Sequence, residues 1–461
     1  MNVAAKEAFS TLQANLRGRL VMPEDADYDA VRAIYNGMID RRPAAIAQCV
    51  DVADVITSVN FARDAGLPLA IRSGGHNGPG LSLVDDGLVI DLSEMKGVRV
   101  DTQAKTVRVE GGCVWGDVDH ATHPFGLAVP SGFISTTGVG GLSLGGGVGY
   151  LTRTYGLTLD NLLAADVVLA DGRLVTASAN ENTDLFWGLR GGGGNFGVVT
   201  SFLFKLSPVS TVYGGPIFYP LEDAAAVMKR WRDFIMTAPE NINGWVGFHY
   251  VPPVPMFPAE HHLKKVCIIT WCYTGDMDRA EEVFKPLRAF GTPLMDFAGP
   301  IPWPVLQSLF DAIYPAGLQW YWRTDLFNEL TDQVIDMHAQ RGLQLPTGHS
   351  AMHLYPINGA AHRVGKNDTA WSYREANFVE VIVGVDPDPA NNDRMIQWAR
   401  DYFDALHPYS AGGAYINMMM DEGEERVKAA YRDNYARLAS IKAKYDPNNL
   451  FHVNQNIKPQ A

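Results

Sequence analysis

Arg72-Ser-Gly-Gly-His-Asn77 places a histidine at the end of an apolar strand, directly after two glycines. Glycines in such a position let consecutive backbone N–H groups converge on one anion, such as a diphosphate. His76 would then stand beside that anion as a nucleophile or base; an ordinary hydrogen-bonded loop histidine is the other reading. Two further glycine loops follow, Gly138-Val-Gly-Gly-Leu-Ser-Leu-Gly-Gly-Gly-Val-Gly149 and Gly191 to Gly194, the latter leading into Gly197-Val-Val199. Gly138 to Ser143 approximates Gly-x-Gly-x-x-Gly, but Ser143 replaces the last glycine and Ser131 to Thr137 is no buried parallel strand, which argues against a Rossmann motif. Separated glycine nests fit an extended dinucleotide held across a surface better than one phosphate on a helix.

Further motifs follow in a fixed order: Tyr155-Gly-Leu157 with Asp160-Asn161, Asp184-Leu-Phe-Trp187, and Tyr445-Asp-Pro447 to Asn454-Gln-Asn-Ile457. With them the chain resembles the FAD-linked oxidases of the vanillyl-alcohol-oxidase superfamily, in the berberine-bridge-enzyme-like branch, over roughly residues 25 to 458. The resemblance implies an α+β fold: a PCMH-type FAD-binding domain over residues 1–210, and a substrate-binding domain of antiparallel sheet under helices over 211–410. A C-terminal segment, 411–461, returns to the FAD domain. It also implies FAD joined through its 8α-methyl to His76. The cofactor site would comprise Arg72, Ser73, Gly74, Gly75, His76, Asn77, Thr137, Gly138, Gly140, Gly141, Ser143, Gly146, Gly147, Gly149, Tyr150, Asn161, Gly197, Val199, Asn454 and Asn456.

Many members of that branch hold the flavin a second time, through a cysteine four residues before Gly-Val-Gly-Gly. Ile134 stands there, and no cysteine occurs between Cys113 and Cys267, so attachment through His76 alone is expected. Tyr415 matches a catalytic tyrosine of some members. In Gly413-Ala-Tyr-Ile-Asn-Met418, strand alternation would put Tyr415 and Asn417 on one face. The phenol would take the substrate proton or hold the substrate in line, and the amide would orient its polar group; a buried structural tyrosine is the alternative. The implied reaction moves hydride from a C–H next to an alcohol or amine of a small organic molecule to FAD, which O2 reoxidises with release of H2O2. A dehydrogenase with another acceptor, or a flavoprotein that sequesters a small molecule for resistance, remain the alternatives.

The elements that must position these residues are legible in outline. Ala44 to Val50 reads as a strand, Asp51 as the cap of a helix that ends at Gly66, and Leu67 to Ile71 as the strand that delivers His76. Strands follow at Leu88–Leu92, Thr106–Glu110, Ala165–Leu169 and Leu174–Ala177. Beyond about residue 210, amphipathic helices at Glu222–Thr237, Asp278–Phe290 and Asn391–Leu406 alternate with apolar strands at Val266–Tyr273 and Phe378–Val385. Glu424 to Tyr445 reads as one charged helix. His353, Tyr355, Tyr373 and Arg374 fall in expected strands of the second domain, as walls or core rather than catalysts. Trp303, Phe310, Tyr314, Trp320, Tyr321 and Trp322 hint at a flat substrate, although most are expected to pack between sheet and helices.

A net charge of -13 without any basic stripe argues against nucleic acid as a partner. Cys49, Cys113, Cys267 and Cys272 lack metal-ligand spacing and read as buried packing, so no metal is expected. Met1 to Arg19 has no continuous apolar core and no later stretch has membrane-span length, which leads to the expectation of a cytoplasmic protein with no membrane partner.

Overall fold

The computed structural model describes residues 3–460. Asp51 accepts the backbone N–H of Asp54 and so caps the helix Val52–Ala65, which Gly66 ends in the left-handed conformation at φ 65°. This helix links the strands Ala45–Gln48 and Leu69–Arg72 as expected, but the two are not neighbours. Leu88–Asp91 lies between them, parallel to both, and Arg19–Val21 completes a four-stranded sheet. The register sets Arg72 opposite Asp91. Their side chains form a buried ion pair at 2.5 Å, and Arg72 Nη1 also donates to Val31 O at 2.6 Å. Charges taken out of water need such partners, and this pair fixes the strand end from which Ser73–His76 emerges.

A second, antiparallel sheet runs in the order Val98–Asp101, Thr106–Glu110, Val198–Lys205, Leu162–Val168, Leu174–Ser178. The third sheet is antiparallel throughout and matches the α+β expectation. Its long strands lie in the order Thr211–Pro220, Lys265–Tyr273, Ile242–Tyr250, Ala351–Pro356, Phe378–Asp386, Gln319–Phe327. Strand alternation divides this sheet cleanly. Val246, Phe248, Met352, Leu354 and Ile382 pack in one core with residues of the helices Ala224–Thr237, Asp332–Gly342 and Asn392–Leu406. Trp245, Trp320, Trp322, Tyr355, Val381 and Val383 belong to a different core, on the opposite face.

Three local expectations are corrected. The helix expected over Glu424–Tyr445 is two helices, Glu424–Tyr431 and Tyr435–Tyr445, broken where Arg432 adopts φ 47°. Tyr373 and Arg374 lie in a loop, not a strand; Arg374 is drawn inward by a buried ion pair with Asp160 at 2.6 Å. Gly413–Met418 forms no strand either, because it turns at Ile416–Met418 instead of pairing. The four cysteines are buried and unpaired, as packing side chains should be. Among the described residues no helix is long and apolar enough to cross a membrane.

One polar contact joins the second and third sheets' layers. Asp119, buried on the helix Trp115–Thr122, accepts Trp303 Nε1 at 2.8 Å, while its other oxygen has no partner among the described residues. Burial pushes this carboxyl up to about 7, with the tryptophan bond opposing. Between about 4 and 7 the folded chain therefore holds a proton that the unfolded chain has released, and the stability present below that range is lost progressively across it. Asp119→Asn keeps the shape without the ionisation, so its advantage over the parent protein in urea unfolding should be smallest near pH 4 and grow to its full size near pH 8. Equal midpoints at the higher pH would show that Asp119 is not held neutral.

Candidate active site

One cavity of about 340 Å³ runs from the three glycine loops to the open face of the eight-stranded sheet. The first two loops touch back to back. A Cβ on Gly74 would lie 2.4 Å from Gly138 N, and one on Gly138 would lie 2.3 Å from Gly74 N, so neither position admits a side chain. The third loop is tied to the second by Gly191 N and Gly193 N, which both donate to Leu144 O at 3.0 Å. The C-terminal tail locks it from behind: Lys442 Nζ, fully buried, donates to Asn195 O at 2.6 Å, to Phe451 O at 2.8 Å and to Asp446 at 2.6 Å. Where the loops face the cavity, at Gly141 and Gly194, a Cβ would meet nothing within 4 Å. Backbone is thus bared to the cavity at two of its glycine walls.

His76 sits at the junction. Its ring is stacked on Tyr35 with centroids 3.9 Å apart and planes 16° apart, and its Nε2 lies 3.2 Å from Thr136 Oγ1. Burial lowers its pKa to about 4, so the imidazole is neutral at physiological pH and keeps a nucleophilic nitrogen. Ile134 also lines the cavity, as an apolar wall.

Tyr415 and Asn417 both reach the cavity, although not along a strand. Tyr415 Oη accepts Gly147 N at 3.0 Å, Val148 N at 3.3 Å and Asn417 Nδ2 at 3.0 Å. Asn417 Nδ2 also donates to Leu142 O at 3.1 Å. Together they clasp the helix Val139–Gly145 and the turn after it. Burial raises the phenol's pKa, the three donated bonds opposing, so Tyr415 is a neutral phenol with its lone pairs engaged. Three N–H donors on one phenol oxygen favour its deprotonated form, the form that can receive a proton, while burial opposes it. The same contacts make Asn417 a fastener of backbone at this turn.

Of the remaining expected cofactor residues, Ser73, Gly74, Gly75, Asn77, Thr137, Gly138, Gly140, Gly141, Gly197, Val199 and Asn454 line the cavity. Arg72, Ser143, Gly146, Gly147, Gly149, Tyr150, Asn161 and Asn456 stand behind it. Arg72 is consumed by Asp91, Asn161 Nδ2 closes its own turn on Tyr155 O and Leu157 O, and Tyr150 is buried edge-on to Phe133 and Trp303. The aromatic stretch is corrected as well: Phe310, Tyr314, Trp320 and Trp322 line the cavity, and only Trp303 and Tyr321 pack elsewhere. Sequence reasoning missed His249, which faces His353 across the sheet. It also missed Lys442, Asn195 and Tyr35, whose partners are distant in the chain.

No Asp, Glu, Lys or Arg lines the cavity among the described residues. The expected FAD fits this donor set. Its diphosphate would rest on the backbone N–H groups of glycine loops, and Asn454 Oδ1, buried without a partner among the described residues, is free to accept a ligand's N–H or O–H. Residues 43–178 match the family described as FAD binding domain, and residues 414–458 match berberine and berberine like. An FAD-linked oxidoreductase of Dictyostelium discoideum is 33% identical, over 92% of this chain and 91% of that protein. The (R)-6-hydroxynicotine oxidase of Paenarthrobacter nicotinovorans is 30% identical, over 97% of this chain and 98% of its own. The solved structure of 6-hydroxy-D-nicotine oxidase from Arthrobacter nicotinovorans is similar at TM-score 0.86 and 26% identity, covering 96% of this chain and 98% of that one.

The clasp can be measured separately from any chemistry. Tyr415→Phe strands two buried backbone N–H groups and one amide, so it should cost about 3 kcal/mol in urea unfolding. Amide exchange at Gly147 and Val148 should accelerate with it. A loss under about 1 kcal/mol would mean that water or a shifted carbonyl replaces the phenol at that turn.

Proposed function

Since the chain belongs to the berberine-bridge-enzyme-like FAD-linked oxidoreductases, we propose that it is an oxidase carrying FAD covalently on His76 and acting on a small neutral organic molecule. The observation that carries this reading is the uncharged cavity, which joins His76 and the glycine loops to the aromatic face of the sheet. We take residues 1–210 with 411–461 as the cofactor-binding part and 211–410 as the substrate-binding part. FAD, when bound, supplies a two-electron acceptor for hydride from a C–H beside an alcohol or amine, and O2 takes those electrons to form H2O2.

The chain's own groups supply the rest. Ser73 to Asn77 and Gly138 to Gly141 would hold the diphosphate through backbone N–H groups, and Asn454 would accept from the ligand at the tail side. His76, kept neutral by its desolvated surroundings, would be the nucleophile for the 8α-carbon, with Thr136 fixing the ring through Nε2. Ile134 offers no second nucleophile, which supports attachment through His76 only. On the substrate side Trp245, Phe310, Trp320 and Trp322 present flat apolar faces. A charged substrate would be desolvated there without a counter-charge, at a cost of several kcal/mol. A neutral, planar substrate fits these faces.

Purified protein should be yellow, and the flavin should stay with the polypeptide after acid precipitation. Peptide mapping should place the adduct on the His76 peptide alone, and His76→Ala should abolish it. Flavin free in the acid supernatant sinks the covalent claim. Substrate-dependent H2O2 in air would support the oxidase. Flavin bleaching by substrate that a dye acceptor reverses and air does not would favour a dehydrogenase. Tight ligand binding without bleaching would favour sequestration.

A further inference from the structure

Four buried polar rings stand in line on the substrate side of the cavity. Tyr355 Oη lies 2.6 Å from His353 Nδ1, His353 Nε2 lies 2.8 Å from His249 Nε2, and Tyr314 Oη lies 3.3 Å from His249 Nδ1. All four side chains line the cavity. The strand register makes the middle contact possible. His353 pairs with Gly247, and a Cβ at Gly247 would fall 2.7 Å from His353 Cδ2, so the bare backbone leaves room for the ring to lean across to His249, two residues on. Phe133 stacks on Tyr355 at 4.2 Å, and Trp245 meets His353 edge-on at 4.9 Å, which holds both rings in place.

The proton count of this line is restrictive. Each neutral imidazole has one N–H and one lone pair, and each phenol has one O–H. Either Tyr355 donates to His353, His353 to His249 and His249 to Tyr314, or every bond runs the other way. In both states all three contacts are satisfied, and one phenol O–H at one end is left over. Burial disfavours imidazolium at both histidines, so a proton can enter the line only if another leaves it.

We propose that Tyr355 receives the proton of the substrate's hydroxyl, and that His353, His249 and Tyr314 relay a proton outward in the same step. This rests on the oxidase reading above. The substrate's C–H bond breaks with its electron pair, which goes to FAD as hydride, and its O–H bond breaks with the proton passing to Tyr355 Oη. The electron pair left on oxygen closes the C=O of the product. Tyr355 gives its own proton to His353 Nδ1, His353 its Nε2 proton to His249, and His249 its Nδ1 proton to Tyr314. Tyr314 gives its proton to water, and protons are taken up again when O2 becomes H2O2. The line ends neutral, with every hydrogen bond reversed. Tyr355 is the catalytic residue in this scheme, and the other three act through it.

Two measurements test the relay. Nitrogen-15 NMR of histidine-labelled protein near pH 7 should show His249 and His353 neutral and in opposite tautomers, unchanged when phenol, a ligand with no oxidisable C–H, is added, and switching together when a substrate reduces the flavin anaerobically. Anaerobic flavin bleaching by benzyl alcohol should slow about a hundredfold in Tyr355→Phe and about tenfold in Tyr314→Phe, with KM nearly unchanged in the latter. Each variant removes one oxygen and keeps its ring, so the wall should stay folded. A purely structural Tyr314 would leave the bleaching rate alone. Equal tautomers, a cationic imidazole, or parent-like bleaching in both variants would overturn the relay while leaving covalent flavin and peroxide formation intact. If the parent protein oxidises no alcohol or amine, the oxidase reading fails, and the resting tautomers alone then decide whether the neutral, directional line exists.

Discussion

At Gly74 and Gly138 two stretches of backbone pass so closely that the absence of Cβ atoms on both sides is what lets them meet. Everything at the cofactor end depends on that contact. It brings the end of the parallel strand Leu69–Arg72 against the start of the helix Val139–Gly145, two elements that belong to different parts of the fold. The helix then hands Leu144 O to the third glycine loop, and the tail seals that loop through Lys442 and Asn195. A side chain at either glycine would wedge the first two loops apart and carry the third with them. His76, one residue past the paired glycines, inherits its position from this packing.

Charge is placed by the same logic. The cavity wall carries none, yet buried ion pairs stand close behind it: Arg72 with Asp91, Arg374 with Asp160, and Lys442 with Asp446. Each pair is desolvated, so its contribution to stability is modest, whereas loss of one partner would leave a bare charge in the interior. Their value is geometric. The first two join segments distant in the chain, the third closes the end of the helix Tyr435–Tyr445, and all leave the wall itself to backbone N–H groups and neutral rings. A dianionic diphosphate and a neutral substrate can then share one cavity, since the first is met by dipoles and the second by aromatic faces.

How much of this was legible in the sequence follows from the range of the interactions. Asp51 and Gly66 bound their helix through contacts a few residues long, and the glycine clusters announce themselves as runs, so many of the residues that line the glycine end of the cavity, His76 among them, were legible as neighbours. The Gly413–Met418 segment misled because period-2 spacing was the only local signal. Its true constraint is Tyr415 reaching back to Gly147 and Val148, more than two hundred and sixty positions away. Arg72 and Asn161 were read as ligand contacts from their motifs, but their hydrogen bonds are spent on holding the loops. His249 gave no sign at all. Its meaning depends on which strand lies beside Ile242–Tyr250, and that pairing joins residues about a hundred positions apart.

The substrate side obeys a looser constraint than the glycine side, and this decides where chemistry can be installed. On the sheet, alternation separates the cavity face from the helix-packed face, so a cavity residue such as His353 can differ in kind without disturbing Met352 or Leu354 beneath it. No such freedom exists at Gly74 or Gly138. The glycine end therefore accounts for a cofactor site that tolerates little variation in side chain. The sheet face presents a grid on which acids, bases or apolar rings can be exchanged one position at a time. In this chain the grid carries His249, His353 and Tyr355, the loop before Gln319–Phe327 adds Tyr314 to their hydrogen-bonded sequence, and no carboxylate or ammonium group lines the cavity among the described residues. Such a set can move a proton without ever holding a net charge, and burial between Phe133, Trp245 and Phe310 makes that its lowest-energy way of doing so.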